Sequence, residues 1–404
     1  MNSGLLSDQT GSPSPATLLV HINFLVTGIV MTFLGPMLPL LSARWGINDA
    51  LAGRLFLVQF VSSMLGMFCS APVVQRYGYR TTFIIGLILM ATGMTVLGTA
   101  SYWIGVVAVG TLGAGHGITT PAGNLRTAEV NPQRSASALN VINAVWGIGA
   151  MSPAFLIDLA RKFHHPAWFL YGTSIALAIL LLAFTVFRFV PDSNTAGLHP
   201  RAGRIGAWPN TSMLLIVSAV FFLYVGAETA FGQWVATYAH RLEPGRTMWT
   251  LMPSFFYGAL LAGRMSAPFA LRFVPETTLA STGLTLGFLG GLSLLGAPNL
   301  TWIMGGSLLA GFGLASIFPI SVSLFPRWFR DSARGASGPV FASGNMGGAV
   351  LPWVVGMISA HFGSLRLGFF VPMVAVSVLL VFYIFQEITG RRLRAVTVQP
   401  AISQ

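Results

Sequence analysis

Residues Ala71–Thr82 read APVVQRYGYRTT, and residues Ala267–Thr278 read APFALRFVPETT. The Ala-Pro pair, Arg76 with Arg272, the aromatic that follows and the closing Thr-Thr pair coincide at a shift of 196 residues, from 71 to 267. A second echo sets Gly149, Ala150 and Pro153 against Gly348, Ala349 and Pro352. Two echoes in chain order point to a duplication. The rest of the sequence supports it. Apolar segments separated by short polar breaks fall near 16–41, 50–74, 81–99, 102–127, 135–160, 167–189, 211–239, 248–271, 277–296, 300–325, 334–361 and 366–389. The longest polar break, Pro191 to Pro209, parts them into two sets of six. Crossing a bilayer takes roughly 20 residues, and these runs are too long and too glycine-rich for strands. The 46 glycines and 23 prolines suit close helix packing and kinks in a membrane bundle. The fold expected is therefore an all-α membrane protein, with twelve transmembrane helices in two pseudo-symmetric six-helix bundles. A parallel duplication of this kind lets two bundles rock about a site near the bilayer midplane. The domains expected are a tail at 1–15, bundles at 16–189 and 211–389, a linker at 190–210 and a second tail at 390–404.

Composition agrees. Of 404 residues 54% are hydrophobic and 8% charged, where a soluble domain carries about 25% charge. The net charge of +12 comes from basic residues scattered over short loops, a topology signal rather than a nucleic-acid surface. With the N-terminus inside, 15 of the 22 basic residues collect on the inner side. Both termini are thus expected in the cytoplasm, and the chain in a cell inner membrane. The first 15 residues are polar and lack a basic leading region, so they read as a cytoplasmic tail and not as a cleavable signal. The single cysteine, Cys69, excludes a disulfide framework or a cysteine-rich metal site. No HExxH, GxSxG or phosphate-binding loop is present, so neither an enzyme, a cofactor nor a metal is expected.

One acidic residue falls near the middle of an apolar segment. Glu228 lies in Tyr224–Tyr238, YVGAETAFGQWVATY. A charge at membrane depth costs about 2.5–3.5 kcal/mol on insertion scales, so it usually faces a wet cavity or a partner. The alternative is a buried glutamate that ties helices together. Other polar residues outline the cavity around it. Asn140, Asn143 and Gly147 share a face of the fifth segment, and His116, Thr120 and Asn124 a face of the fourth. Asn23, Gln59, Gln233 and Asn345 add amides, which both donate and accept and so suit hydroxyl-rich solutes. Trp146, Trp234 and Trp353 offer flat apolar ring faces. The rival role for a membrane amide is a bond to another helix, worth about 0.6 kcal/mol on average. His116 has an unperturbed pKa of about 6.5, which suits it to proton relay or to plain hydrogen bonding. Arg126 and Glu129 read as a local i, i+3 pair. Arg264 reads as a cation that snorkels to the inner surface or binds helix carbonyls.

Over essentially its whole length the chain resembles the major facilitator superfamily. In the loop between the second and third helices Arg76, Gly78 and Arg80 fit that superfamily's pattern, while Gln75 stands at its aspartate. Within it the chain resembles the fucose–galactose–glucose:proton symporter family. Tyr224, Gly226, Ala227, Glu228, Gly232 and Tyr238 match its seventh helix, and Gly263-Arg264 its eighth. Ser316-Ile317-Phe318-Pro319 matches the tenth, and Gly347-Gly348-Ala349 with Pro352 and Gly356 the eleventh. Asn124, and Leu139-Asn140 with Asn143, give a thinner likeness in the first half. The resemblance implies a secondary active transporter of a monosaccharide, proton-coupled. Two of the family's carboxylate positions fall here on Gly35 and Thr120, which leaves Glu228 to carry coupling, with His116 beside it as a candidate. The substrate-binding candidates are Asn143, Asn140, Asn124, Gln59, Gln233, Trp146, Asn345 and Asn23. The expected partners are a sugar-like solute, a proton and the lipid bilayer, with the chain a monomer. A sugar uniporter, and an exporter of amphipathic or drug-like molecules by antiport, remain the alternatives. The absence of an adjacent Gly-Pro after Gly147 and Gly149 weighs against the exporter.

Overall fold

The computed structural model of the chain describes residues 15–187, 209–329 and 332–398, and the described residues are almost wholly helical. The expected N-terminal tail, all but its last residue, and positions 190–208 of the expected linker lie outside them. The first bundle comprises α1 (Pro15–Thr32), α2 (Leu34–Trp45), α3 (Asp49–Leu97), α4 (Tyr102–Val130), α5 (Ser135–Lys162) and α6 (Ala167–Val186). The second comprises α7 (Thr211–Leu242), α8 (Met252–Ala270), α9 (Glu276–Leu295), α10 (Leu300–Leu314), α11 (Ile317–Phe329), α12 (Ala333–Phe362), α13 (Leu365–Gly368) and α14 (Phe370–Val398). Nine stretches among the described residues are long and apolar enough to cross a membrane. One of these, α3, holds two crossings, and α4 and α8 complete the twelve.

The sequence explains where helices start and break. Asn48, Asn210 and Asn299 cap α3, α7 and α10, each accepting bonds from the backbone N–H groups of the first turn. The first apolar segment breaks at Phe33 into α1 and α2, three residues before Pro36, whose missing N–H leaves the Thr32 carbonyl without its helical donor. Pro319 does the same to the Ala315 carbonyl, and the tenth segment breaks there into α10 and α11. Gly78, with φ 79° and ψ 169°, folds α3 back on itself in a conformation open essentially to glycine alone. Contacts with α4 show the reversal. Gln59 and Ser63 of the first limb meet Gly113 and Gly117 in rising order, whereas Gly86 and Gly93 of the second limb meet Gly115 and Ala108 in falling order. The last segment continues as helix to Val398, beyond the boundary at 389 that the sequence suggests.

Glycine pairs let helices cross backbone to backbone, and they repeat. A Cβ on Gly28 would lie 2.3 Å from the Trp146 carbonyl oxygen, and one on Gly149 would lie 2.0 Å from that of Leu25. In the second bundle a Cβ on Gly226 would lie 2.9 Å from the Gly347 carbonyl oxygen, and one on Gly347 would lie 1.9 Å from that of Phe222. Both pairs, 28 with 226 and 149 with 347, are offset by 198 residues. The structural partner of Gly149 is thus Gly347, one residue before the Gly348 aligned from sequence.

Residues 187 and 209 lie at one end of the bundles, here the proximal end. At the other, distal end the bundles lock together. Arg241 of α7 grips Asp49 of α3 through both nitrogens, at 2.7 and 2.5 Å, and Ser359 of α12 donates to the same carboxylate. Arg161 of α5 reaches Thr250 at 3.0 Å, and Thr250 donates to Asp158 at 3.1 Å. Ser254 of α8 donates to the Met151 carbonyl of α5 at 2.6 Å. Phe56 meets Trp234 edge to face, with ring centroids 5.6 Å apart. Nearer the middle Gln233 of α7 donates to the Met31 carbonyl at 3.2 Å. Toward the proximal end Asn140 and Asn143 are exposed.

Candidate functional site

The i, i+4 spacing of Tyr224 and Glu228 puts both on one face of α7. Gly226 and Gly232 let neighbours approach that helix closely. A Cβ on Gly232 would lie 2.6 Å from the Tyr257 hydroxyl of α8, and one on Gly226 would lie 2.6 Å from Leu351 of α12. On α8 the positions Tyr257, Leu260, Leu261 and Arg264 follow i, i+3, i+4, i+7 and form a second face. The two faces meet. Arg264 Nη2 is 2.9 Å from Glu228 Oε2 and 3.2 Å from the Tyr224 hydroxyl, which in turn donates to Glu228.

This corrects the sequence reading of Arg264. It reaches neither the membrane surface nor a helix carbonyl. It turns inward, because the Glu228 carboxylate, about four helical turns before the end of α7, supplies both countercharge and hydrogen bond. The side chains of Glu228 and Arg264 are 14% and 27% exposed. Removing one partner of such a buried pair typically costs about 3–5 kcal/mol, whereas replacing both with apolar groups is often neutral. The duplication makes the asymmetry plain. At the same 198-residue offset Val30 stands for Glu228 and Gly66 for Arg264. The charge pair thus belongs to the second bundle alone.

Across the bundle interface Arg264 faces α5. Asn143, Trp146, Gly147 and Ala150 line a crevice with Tyr257, Leu260, Leu261 and Arg264. Its free volume of 10 Å³ has room for about one water. Asn143 donates one amide hydrogen to the Leu139 carbonyl at 2.8 Å. The Nε of Arg264 is buried and has no hydrogen-bond partner among the described residues.

The other residues singled out from sequence occupy different surroundings. Gln59 is buried and donates to the Val30 carbonyl at 3.1 Å, beside Gln233 on Met31. Both amides brace the break in the first crossing, and the Oε1 of each has no partner among the described residues. Asn23 is fully buried on α1, and both its amide atoms lack a partner among the described residues. Asn124 is half-buried, with its Oδ1 unpaired on the same terms. Asn345 of α12 donates to its own Phe341 carbonyl at 3.1 Å and lies 3.5 Å from the Met67 sulfur of α3. His116 is buried, its ring 3.0 Å from the Ser63 hydroxyl. Asn140 is exposed one turn proximal to Asn143. Trp234 donates to the Pro352 carbonyl at 2.8 Å and is part of the packed interface. Arg126 lies over the Tyr79 ring at 5.7 Å, so an aromatic of α3 joins the local pair expected on α4. Sequence reasoning passed over Tyr257, Leu260 and Leu261. Their spacing with Arg264 was the available signal.

Comparisons with known proteins bear on this geometry. The family model described as Major Facilitator Superfamily matches residues 20–289. The glucose/mannose transporter GlcP of Bacillus subtilis (strain 168) is 22% identical over 348 residues, which cover 82% of this chain and 85% of that protein. Among solved structures the D-xylose-proton symporter superposes with a TM-score of 0.73 at 14% identity, covering 91% of this chain and 96% of that one. The nucleoside transporter NupG superposes with a TM-score of 0.70 at 14% identity, covering 92% and 97%.

Proposed function

The chain belongs to the Major Facilitator Superfamily, and we propose that within this family of transporters it carries a monosaccharide or similar polyol by alternating access. The observation that carries this reading is the crevice itself. The guanidinium of Arg264 and the phenol of Tyr257 face an amide and an indole of the first bundle, and Arg264 is paired in turn with the Glu228 carboxylate and the Tyr224 hydroxyl. Carboxylate oxygens accept from sugar hydroxyls, the guanidinium and amide donate to them, and Trp146 offers a ring face. The relative named as a glucose/mannose transporter supports the same substrate class. Since ligand sites for small molecules hold about 300 Å³ or more, the crevice must widen to admit a hexose. Rocking the bundles apart along α5 and α8 does this. Asn143, Trp146 and Glu228 are the proposed principal contacts, with Asn140, Asn124 and Asn345 along the route toward the proximal end. Gln59, Gln233 and Asn23 are proposed to meet solute when the distal lock opens.

Coupling to protons is proposed to run through Glu228. A proton there would dissolve the pair with Arg264 and free the guanidinium for a solute hydroxyl. His116 is proposed as a secondary relay group. The proximal end is proposed to face the cytoplasm of a cell inner membrane, with both termini on that side, a cytoplasmic linker at 190–210 joining the bundles at 16–189 and 211–389, and a monomer as the working unit. The excess of inner basic residues supports the orientation.

Uptake into proteoliposomes, with a panel of labelled sugars set against a panel of lipophilic cations, tests the substrate class. Saturable movement of at least one sugar is expected. Movement of the cations alone would replace this reading with export of amphipathic molecules.

A further inference from the structure

On the lipid-facing side of the first bundle α5 and α6 splay apart and leave a groove of 380 Å³. Val26 and Ile29 of α1 form its floor, and Leu156, Phe163, Trp168 and Gly172 its walls. The groove stays open because small residues line it. A Cβ built on Gly172 would meet nothing within 4 Å. Its rim faces the bilayer, since Leu159, Ile175 and Ile179 are more than half exposed. An apolar groove of this kind does not hold ordered water, so its natural occupant is hydrocarbon.

The mouth of the groove selects the rest of that occupant. It is the turn between α5 and α6, where Lys162, Phe163, His164 and His165 are all exposed. His165 stacks on Trp168 with ring centroids 4.7 Å apart, and Phe163 lies 6.1 Å from the same indole. Aromatic clusters of this type sit at headgroup depth. Lys162 is the sole lysine of the chain and its side chain is 69% exposed. It shares Asp158 with Arg161, two cations on one carboxylate, and Arg161 is engaged with Thr250 and the Trp249 ring. The ammonium therefore keeps donors for an external anion. We propose that the groove and the turn form a binding site for one anionic phospholipid. One acyl chain lies between α5 and α6, and the phosphate is held by Lys162 with the two histidines.

The test uses the full chain in detergent, incubated with equal amounts of phosphatidylglycerol and phosphatidylethanolamine and read by native mass spectrometry. One retained phosphatidylglycerol is expected, favoured over phosphatidylethanolamine by about fivefold, the effect of one basic residue near a charged headgroup. Gly172→Leu fills the groove from a position with room for the side chain, and it replaces glycine within a helix by a better helix former. This variant should melt no lower than wild type without added lipid and should lose the bound lipid. Ala176→Leu, one turn on, should do the same. Lys162→Gln should keep a bound lipid but lose the headgroup preference. Retention of the wild-type adduct by both filled variants would overturn the acyl site, and equal retention of the two lipids by wild type would overturn the anionic headgroup.

Discussion

Breaking the distal lock should shift the balance between the two faces of the transporter, and Asp49→Asn is the perturbation that does so with least disturbance. Asp49 is 6% exposed, whereas the Arg241 side chain is 47% exposed, so the pair is wet on one side only. Two unit charges about 4 Å apart interact by about 4 kcal/mol at an effective dielectric constant of 20. Exposed pairs measured by mutant cycles give about 0.2–1 kcal/mol, and buried ones lose about 3–5 kcal/mol when broken. A half-exposed, two-pronged pair belongs between, at about 1–2 kcal/mol. Asparagine keeps the shape and can still accept from Ser359, so the loss is that of the charge. By that energy the distal-open form should gain about 5–30-fold relative to the distal-closed form. Spin labels at Trp103 and Trp302, which stand exposed near the starts of α4 and α10, read the separation of the distal ends. A longer-distance population growing by that factor in Asp49→Asn, in a Cys69→Ser background, is expected. An unchanged distance distribution in a variant that still melts cooperatively would refute the lock.

Further outcomes follow from the site and from the helix crossings. Glu228→Gln should still exchange solute across the membrane but lose accumulation driven by a pH gradient, as followed by uptake into proteoliposomes; gradient-driven uptake at the wild-type level would remove Glu228 from coupling. Asn143→Ala should weaken solute affinity several-fold, the effect of losing about 1 kcal/mol from one uncharged hydrogen bond, with little change in melting temperature because the residue is exposed; unchanged affinity for every transported solute would make it a packing amide. Gly149→Val and Gly347→Val should each lower the melting temperature sharply, because a Cβ 2.0 or 1.9 Å from a carbonyl oxygen forces the crossing apart and overpacking costs about 1–3 kcal/mol or more; wild-type melting in either would refute the duplicated crossing.

Much of this architecture was legible in the sequence. The echo of APVVQRYGYRTT in APFALRFVPETT announced the duplication, and apolar run lengths announced the crossings. Pro36 and Pro319 held the signal for the breaks at Phe33 and Ala315, since a missing N–H acts locally, but run length alone reads each of these segments as unbroken. The register of the repeat was legible only within a residue or two. Sequence aligns letters, while the crossings align glycines by the backbone they touch, which pairs Gly149 with Gly347. The site was half legible. Glu228 stood out because a lone carboxylate at membrane depth needs an explanation. Its partner did not, because Arg264 was weighed by its distance from a helix end rather than by the face it shares with Tyr257 and Leu261. The distal lock was illegible. Asp49, Arg241 and Ser359 are polar residues near helix ends, where polar residues are ordinary, and only the packing of three helices brings them together.

Solute is proposed to bind between the bundles beside the Glu228–Arg264 pair. The most direct test is counterflow of a labelled sugar in proteoliposomes by wild type and by the double variant Glu228→Leu/Arg264→Leu. Replacing both charges leaves no buried ion unpaired, so the variant is expected to fold and melt near wild type. Saturable counterflow is expected from wild type and none from the folded double variant. Counterflow at the wild-type rate by that variant would place the solute site elsewhere.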